Sequence, residues 1–161
     1  MLKVNKEKSI LEYAYRLLAL RDRSEIEMRH RLIQKSYEND EIDKTISHLK
    51  ELGYIDDKKL AEKLIRFAII NKNYGRKYIK PFLLSKGIDE SVINNLTISD
   101  EEFKESAESF IIKQKKIIKN KIGQGDKKQD LLCKIIKGLQ SRGHDYETIK
   151  EALLNKGESN V

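Results

Sequence analysis

At 161 residues the chain can form one ordinary domain or a short array of smaller units, and it is long enough to bury a core. Its residues are 39% hydrophobic and 37% charged, with one proline, eight glycines and no tryptophan, which is the profile of a soluble, helix-rich chain and excludes wholesale disorder. The 33 Lys and Arg against 26 Asp and Glu give a net charge of +7, which favours anionic partners such as nucleic acid or an acidic protein surface.

The N-terminal stretch from Met1 to Lys8 lacks an apolar signal core, and no run approaches the roughly 18 apolar residues of a membrane span. A cytoplasmic protein with no membrane partner is therefore expected. Beyond that lead, apolar residues recur at three and four positions in nearly every segment, while strand-like alternation is hard to find, so the predicted fold class is all-α. Ile10, Tyr13, Ala14 and Leu17 make one face of a first helix. Ser24 is placed to cap a second, with Glu27 at the capping-box position, and this helix turns Met28 and Leu32 inward. Asp40 can cap a third helix bearing Ile42, Ile46 and Leu49, which stops near Gly53.

The plan then recurs. Asp56 or Asp57 can cap a helix bearing Leu60, Ala61, Leu64, Ile65 and Ala68; Asn73-Tyr74-Gly75 breaks it; Gly87 ends the next helix, and Asp89 opens a short third one. A shift of 51 residues superposes Ile10 on Ala61, Tyr13 on Leu64, Met28 on Ile79, Leu32 on Leu83 and Ile42 on Ile93. A further shift of 56 brings Ile79 onto Ile135, Leu83 onto Leu139, Lys86 onto Arg142, Gly87 onto Gly143, Asp89 onto Asp145 and Ile93 onto Ile149, with an insertion around Lys119 to Asp126. Three tandem three-helix repeats follow: residues 1–53 with a short N-terminal lead, 54–98, and 99–161 with a C-terminal tail. Units this small bury little surface alone, so neighbours are expected to pack into an elongated body that can curve. Ser36 stands where the other repeats have glycine and should weaken the first helix stop. Pro81 kinks its helix if the helix begins at Gly75 or Arg76, and sits harmlessly in the first turn if it begins near Ile79.

The search for catalytic chemistry is negative. His30, His48 and His144 are far apart in polar stretches and read as solvated or boundary residues. Glu27 and His30 have the spacing of carboxylate-bridged metal sites in helical bundles, which need a second such pair that the sequence does not contain. Gly123-Gln-Gly125 lacks the lysine and hydroxyl residue of a phosphate loop and reads as a connecting turn. Cys133 is the single cysteine, so an intrachain disulfide is excluded, and beside Leu132 and Ile136 it reads as a packed thiol. No cofactor, metal or enzymatic activity is expected.

Charge is the informative feature. From Lys63 through Ile88 there is no acidic residue, while Lys63, Arg66, Lys72, Arg76, Lys77, Lys80 and Lys86 supply cations interleaved with Tyr74 and Tyr78. Such a stretch can neutralise phosphates or carboxylates and offer aromatic contact area, although lysines also decorate ordinary solvated helix faces. A second acid-free run, Ser109 to Gly125, has the apolar content of an ordinary amphipathic helix. In a third cluster Arg21, Arg23, Arg29 and Arg31 are partly balanced by Asp22, Glu25 and Glu27, so local pairing competes with partner contact.

Arg21-Asp-Arg-Ser-Glu-Ile-Glu-Met-Arg-His-Arg-Leu32, then Leu49-Lys-Glu-Leu-Gly-Tyr-Ile-Asp-Asp57, then Tyr74-Gly-Arg-Lys-Tyr-Ile79 and Lys86-Gly-Ile-Asp89 resemble, in this order and spacing, the RecX family of recombination regulators. The resemblance is clearest over residues 10 to 95. It implies a cytoplasmic bacterial protein that binds the RecA filament on single-stranded DNA and suppresses recombinase, ATPase and co-protease activities. Some members also bind DNA directly, so an autonomous DNA-binding helical-repeat protein is the competing reading. A filament ligand has no need to dimerise, and a monomer is expected. Leu32, Gly53, Ile55, Asp56 and Gly87 are then structural, and the partner-binding candidates are Arg23, Arg29, Arg66, Lys72, Tyr74, Arg76, Lys77 and Lys80.

Overall fold

The computed structural model describes residues 2–121 and 128–157, and the side chains of residues 10–117 and 129–157. The Gly123-Gln-Gly125 turn lies outside these, as does the expected insertion from residue 122 on, whereas its first residues, Lys119 to Lys121, continue a helix. The fold is all-helical, with α1 (Leu2–Leu20), α2 (Glu25–Ile33), α3 (Asn39–Glu51), α4 (Asp57–Phe67), α5 (Arg76–Ser85), α6 (Glu90–Asn94), α7 (Asp100–Lys121), α8 (Lys128–Gln140) and α9 (Tyr146–Asn155) among the described residues. No described helix is long and apolar enough to cross a membrane.

Helix starts follow the side-chain chemistry, with two corrections. Ser24 caps α2, its Oγ accepting from the Glu27 N–H at 3.2 Å. The reciprocal half of the expected capping box is missing, because the Glu27 carboxylate is taken by Arg21 and Arg23 instead. Asp40 does not cap α3. Extended backbone at Glu38 makes that residue the N-cap, without a side-chain bond, and Asp40 and Glu41 fall in the first turn, where the helix dipole favours them. Asp56 does cap α4, accepting from the Lys59 N–H at 2.9 Å, and Asp89 and Asp145 cap α6 and α9. The end of α4 widens into a π-turn over Ala68–Lys72, closed by Asn73 in the left-handed region at φ 53°. Because α5 begins at Arg76, Pro81 lies inside it and removes the donor that the Lys77 carbonyl would otherwise meet.

The chain forms two compact units. The first comprises Met1–Leu64 and Leu83–Leu96, and its core is Ile10, Ala14, Met28, Leu32, Ile42, Ile46, Leu49 and Ile55. The second comprises Ile65–Phe82 and Thr97–Val161, around Ala107, Phe110, Ile111, Ile135, Leu139, Ile149, Ala152 and Leu153. Each large side chain in these sets contributes about 1.5–3 kcal/mol by burial, which fixes the inward faces that the periodicity marks. The division of the sequence into three repeats is a statement about register, and we retain it as a proposal.

Register does reappear in the backbone. Ser36, Gly87 and Gly143, which the two shifts superpose, all adopt positive φ, at 60°, 74° and 84°. Ser36 therefore ends its helix with the same left-handed residue as the glycines, at the cost of a Cβ in that region, and its helix stop is intact.

Within each unit one such turn docks on a helix start. In the first unit the Ser24 Oγ donates to the Lys86 carbonyl at 3.0 Å, and a Cβ on Gly87 would lie 2.6 Å from that same oxygen. In the second, the Gly75 N–H donates to the Arg142 carbonyl at 2.9 Å, the Lys77 N–H to the Gly143 carbonyl at 3.2 Å, and Gly143 lies against Lys77 and Tyr78. The 51-residue shift carries Ser24 onto Gly75 and the pair Ile26 and Glu27, which lies against Gly87, onto Lys77 and Tyr78.

Candidate functional site

The acid-free stretch crosses both units, and its part from Ile65 to Phe82 belongs wholly to the second. Six of the eight partner-binding candidates stand there. The end of α4, the π-turn and the first turns of α5 carry them, and the segment is held by groups at alternate residues. Asn73 donates through Nδ2 to the Ser106 carbonyl at 3.1 Å and accepts from the Lys113 Nζ at 3.1 Å. Its own carbonyl meets His144 Nε2 at 3.0 Å. Gly75 and Lys77 bond the adjacent turn as described above.

The candidates differ in what else they touch. Arg66 and Lys77 are exposed and make no side-chain hydrogen bond or ion pair within the described residues. Lys72 lies 5.9 Å over the Phe67 ring, and Lys80 is exposed. Arg76 is committed twice, pairing with Asp100 and lying 4.7 Å over the Phe103 ring. Tyr74 is half-buried, edge-on to Tyr78 and Phe82, both at 5.7 Å.

Arg23 and Arg29 belong to the first unit and serve the fold there. Arg23 is only 7% exposed; its Nε donates to the Leu17 carbonyl at 3.2 Å and its guanidinium pairs with Glu27. Burial pushes the Glu27 carboxyl up, and Arg21 with Arg23 more than offset this, leaving it below the usual carboxylate range. Arg29 pairs with Asp43 at 2.5 Å and Glu25 at 3.1 Å, and Lys50 joins Glu25 at 2.7 Å. The hydrogen bond to Asp43 raises the already high pKa of Arg29, and that from Lys50 leads in lowering Glu25.

Sequence reasoning missed several residues. Phe67, Ile70 and Tyr78 are exposed apolar groups on the cation-bearing segment. Their spacing could have been read as an outward apolar stripe, but the inward residues of the same helices have the same spacing. Asn73 and His144 are both buried, at 4% exposure, although polar neighbours mark them as surface residues. For His144 this corrects the solvated reading, and the cause is the hydrogen bond to a carbonyl 71 positions away, which offsets burial of the ring. His30 and His48 are exposed, as expected. Cys133 is exposed, because α8 turns Ile135 and Leu139 inward and leaves the thiol on the opposite side. Among the described residues no three His, Cys, Asp or Glu side chains gather as they would to hold a metal ion.

Residues 11–49 match the family described as RecX, first three-helix domain. Regulatory protein RecX of Vibrio vulnificus (strain CMCP6) is 30% identical over 146 residues, which cover 90% of this chain and 91% of that one. The chain belongs to the RecX regulatory protein family. Regulatory protein RecX of Clostridium botulinum (strain Eklund 17B / Type B) is 30% identical over 131 residues, but the match spans only 60% of that longer relative. The fold agrees with the crystal structure of RecX from Lactobacillus salivarius, at a TM-score of 0.77 with 23% identity, covering 94% of this chain and 97% of that one.

The stretches that carry the RecX resemblance have physical roles in this chain. Ser24 is at once the cap of α2 and the donor to the Lys86 carbonyl. Gly53 supplies a positive φ of 72°, Ile55 is buried and Asp56 caps α4. Asp57 accepts from the Glu25 N–H at 2.9 Å and so serves the start of α2 from 32 residues away; burial raises its carboxyl pKa. These residues hold the first unit together.

Proposed function

We propose that this RecX-family chain binds the RecA filament on single-stranded DNA and lowers its recombinase, ATPase and co-protease activities, as a cytoplasmic monomer without catalytic chemistry of its own. Family membership supports the regulatory role. The observation that carries the contact assignment is the contrast among cations. Arg21, Arg23, Arg29, Lys50 and Lys63 are paired with carboxylates of the first unit, whereas Arg66 and Lys77 are exposed, make no ion pair among the described residues and stand in a segment without any acidic residue. Lys72, Lys80 and the exposed edge of Tyr78 extend the same segment. Arg76, exposed but paired with Asp100, and the half-buried Tyr74 belong to the same segment, and Arg23 and Arg29 act indirectly by holding the first unit.

The test adds the purified chain, below stoichiometric amounts, to RecA, single-stranded DNA and ATP, and follows ATP hydrolysis and filament length. Slower hydrolysis and shorter filaments are expected; no effect on either overturns the reading. Replacing Arg66, Lys72 and Lys77 together with glutamine should weaken inhibition roughly tenfold or more, at about 0.5–1 kcal/mol per exposed ion pair. Full inhibition by the folded triple variant would show that another face makes the contact. The second reading, direct DNA binding, draws on the exposed Phe67 and Tyr78 rings beside these cations, and it predicts steeply salt-dependent binding to single-stranded DNA without RecA.

A further inference from the structure

The two docked turns place different chemistry at one position. The 56-residue shift carries Ile88, which is buried and apolar, onto His144, which is equally buried and titratable. A neutral imidazole has one donor and one acceptor. The Asn73 carbonyl can only accept, so Nε2 of His144 carries the proton, and Nδ1 is a buried acceptor that meets no hydrogen-bond donor among the described residues.

With the Gly75 and Lys77 amides, this bond makes three anchors at residues 73, 75 and 77 onto residues 142–144, all inside the second unit. They fix the backbone that presents Lys72, Arg76, Lys77 and Lys80. A second proton on His144 would put a donor with no acceptor and a positive charge at Nδ1. The surrounding charges act in both directions, Asp145 favouring the charged ring and Arg142 opposing it, and burial outweighs the favourable ones. Arg142 lies two residues before it on its own turn, Lys113 of α7 is bonded to Asn73, and Arg76 of α5 lies near Asp145. Of the anions, Asp100 of α7 is taken by Arg76, and the Asp145 carboxylate accepts from the Thr148 N–H at 2.8 Å.

We propose that His144 is a positioning residue: its neutral form, protonated at Nε2 only, docks the cation-bearing segment on the Arg142–His144 turn, and a second proton releases that segment. The functional half of this inference rests on the contact assignment made above. Burial holds the imidazole below its ordinary value of 6.5, against the opposing pull of the Asn73 carbonyl and the Asp145 charge. The released form therefore takes the proton more readily than the docked form. Docking is complete above the ordinary histidine value and is eroded as pH falls from there toward the lowered one, by up to about tenfold in the docked-to-released ratio per pH unit.

The test uses the full chain and His144→Gln, whose amide nitrogen can replace the Nε2–H donor and cannot titrate. In the wild type, the amide resonances of Gly75 and Lys77 should shift together with the His144 ring as pH is lowered from 8 to 5, and in the glutamine variant they should not. A ring that titrates at the ordinary value with both amides unmoved overturns the proposal. Inhibition of RecA ATP hydrolysis is then compared between the two proteins at each pH, since their ratio cancels the recombinase's own response. The ratio should fall several-fold in step with the amides. Amide movement without a change in the ratio would instead overturn the contact assignment, and with it the functional half of this inference.

Discussion

The two docked turns reach one geometry by different means. At Ser24 a side chain does the work: one hydroxyl caps α2 and donates to the Lys86 carbonyl. At Gly75 no side chain is present, and the backbone amides of Gly75 and Lys77, orphaned at the start of α5, are satisfied by the carbonyls of Arg142 and Gly143. The serine version tolerates adjustment, since a hydroxyl can rotate. The backbone version does not, because every group in it is fixed to the main chain. The cation-bearing segment is thus mounted on the stiffer of the two, with a buried histidine where the other has isoleucine.

That contrast can be broken most forcefully at Gly75. A Cβ there would lie 2.3 Å from the His144 nitrogen and 2.5 Å from the Gly143 carbonyl carbon and oxygen, all main-chain atoms. Gly75→Ala should therefore cost about 3 kcal/mol, the upper range for overpacking, read as a lower urea midpoint with loss of the Gly75 and Lys77 amide resonances from their docked positions. An unchanged midpoint would mean that the turn and the helix start separate freely.

Gly87→Ala should cost less, about 2 kcal/mol. Its positive φ contributes about 1 kcal/mol, and the rest comes from displacing the Ser24 hydroxyl, which lies 2.6 Å from the new Cβ. Gly53 provides the internal reference, since it has a matching φ of 72° with nothing within 4 Å of the added carbon. Gly53→Ala should cost about 1 kcal/mol. The difference between the two midpoints measures the docking itself, and equal costs would show that it adds nothing at Ser24.

Much of the fold was legible because its determinants are local. The three- and four-residue spacing of Ile42, Ile46 and Leu49, or of Ile135 and Leu139, marks inward faces directly, and Ser24, Asp56, Asp89 and Asp145 cap helices through their own backbone neighbours. What failed depended on distant partners. The Glu27 carboxylate could not be assigned to Arg21 and Arg23 without knowing where α1 ends, and the burial of His144 required Asn73 to be brought to it. The equivalence of Ser24 and Gly75 was hidden because the bond to the next turn passes from a side chain to the main chain. The cation-bearing segment was visible as composition, but which of its cations are free was not, because Arg76 finds Asp100 only through folding.

The smallest expected effect is at Ser36, and it asks whether the helix-ending turn needs glycine for conformation or for contact. Ser36 is exposed and adopts φ 60°, the same region as Gly87 and Gly143. Those two meet neighbouring atoms at 2.6 and 3.0 Å from a hypothetical Cβ, so a side chain there has to displace the Ser24 hydroxyl or the Tyr78 ring whatever the backbone angle. If conformation alone matters at Ser36, Ser36→Gly removes about 1 kcal/mol of left-handed strain and loses part of it to the greater freedom of the unfolded chain. The net result should be a stabilisation of about 0.5 kcal/mol, raising the urea midpoint slightly with an unchanged slope. A destabilisation would mean that the serine side chain holds the turn itself. In that case the first turn is a third solution to the same structural problem, beside the hydroxyl joint at Ser24 and the main-chain joint at Gly75.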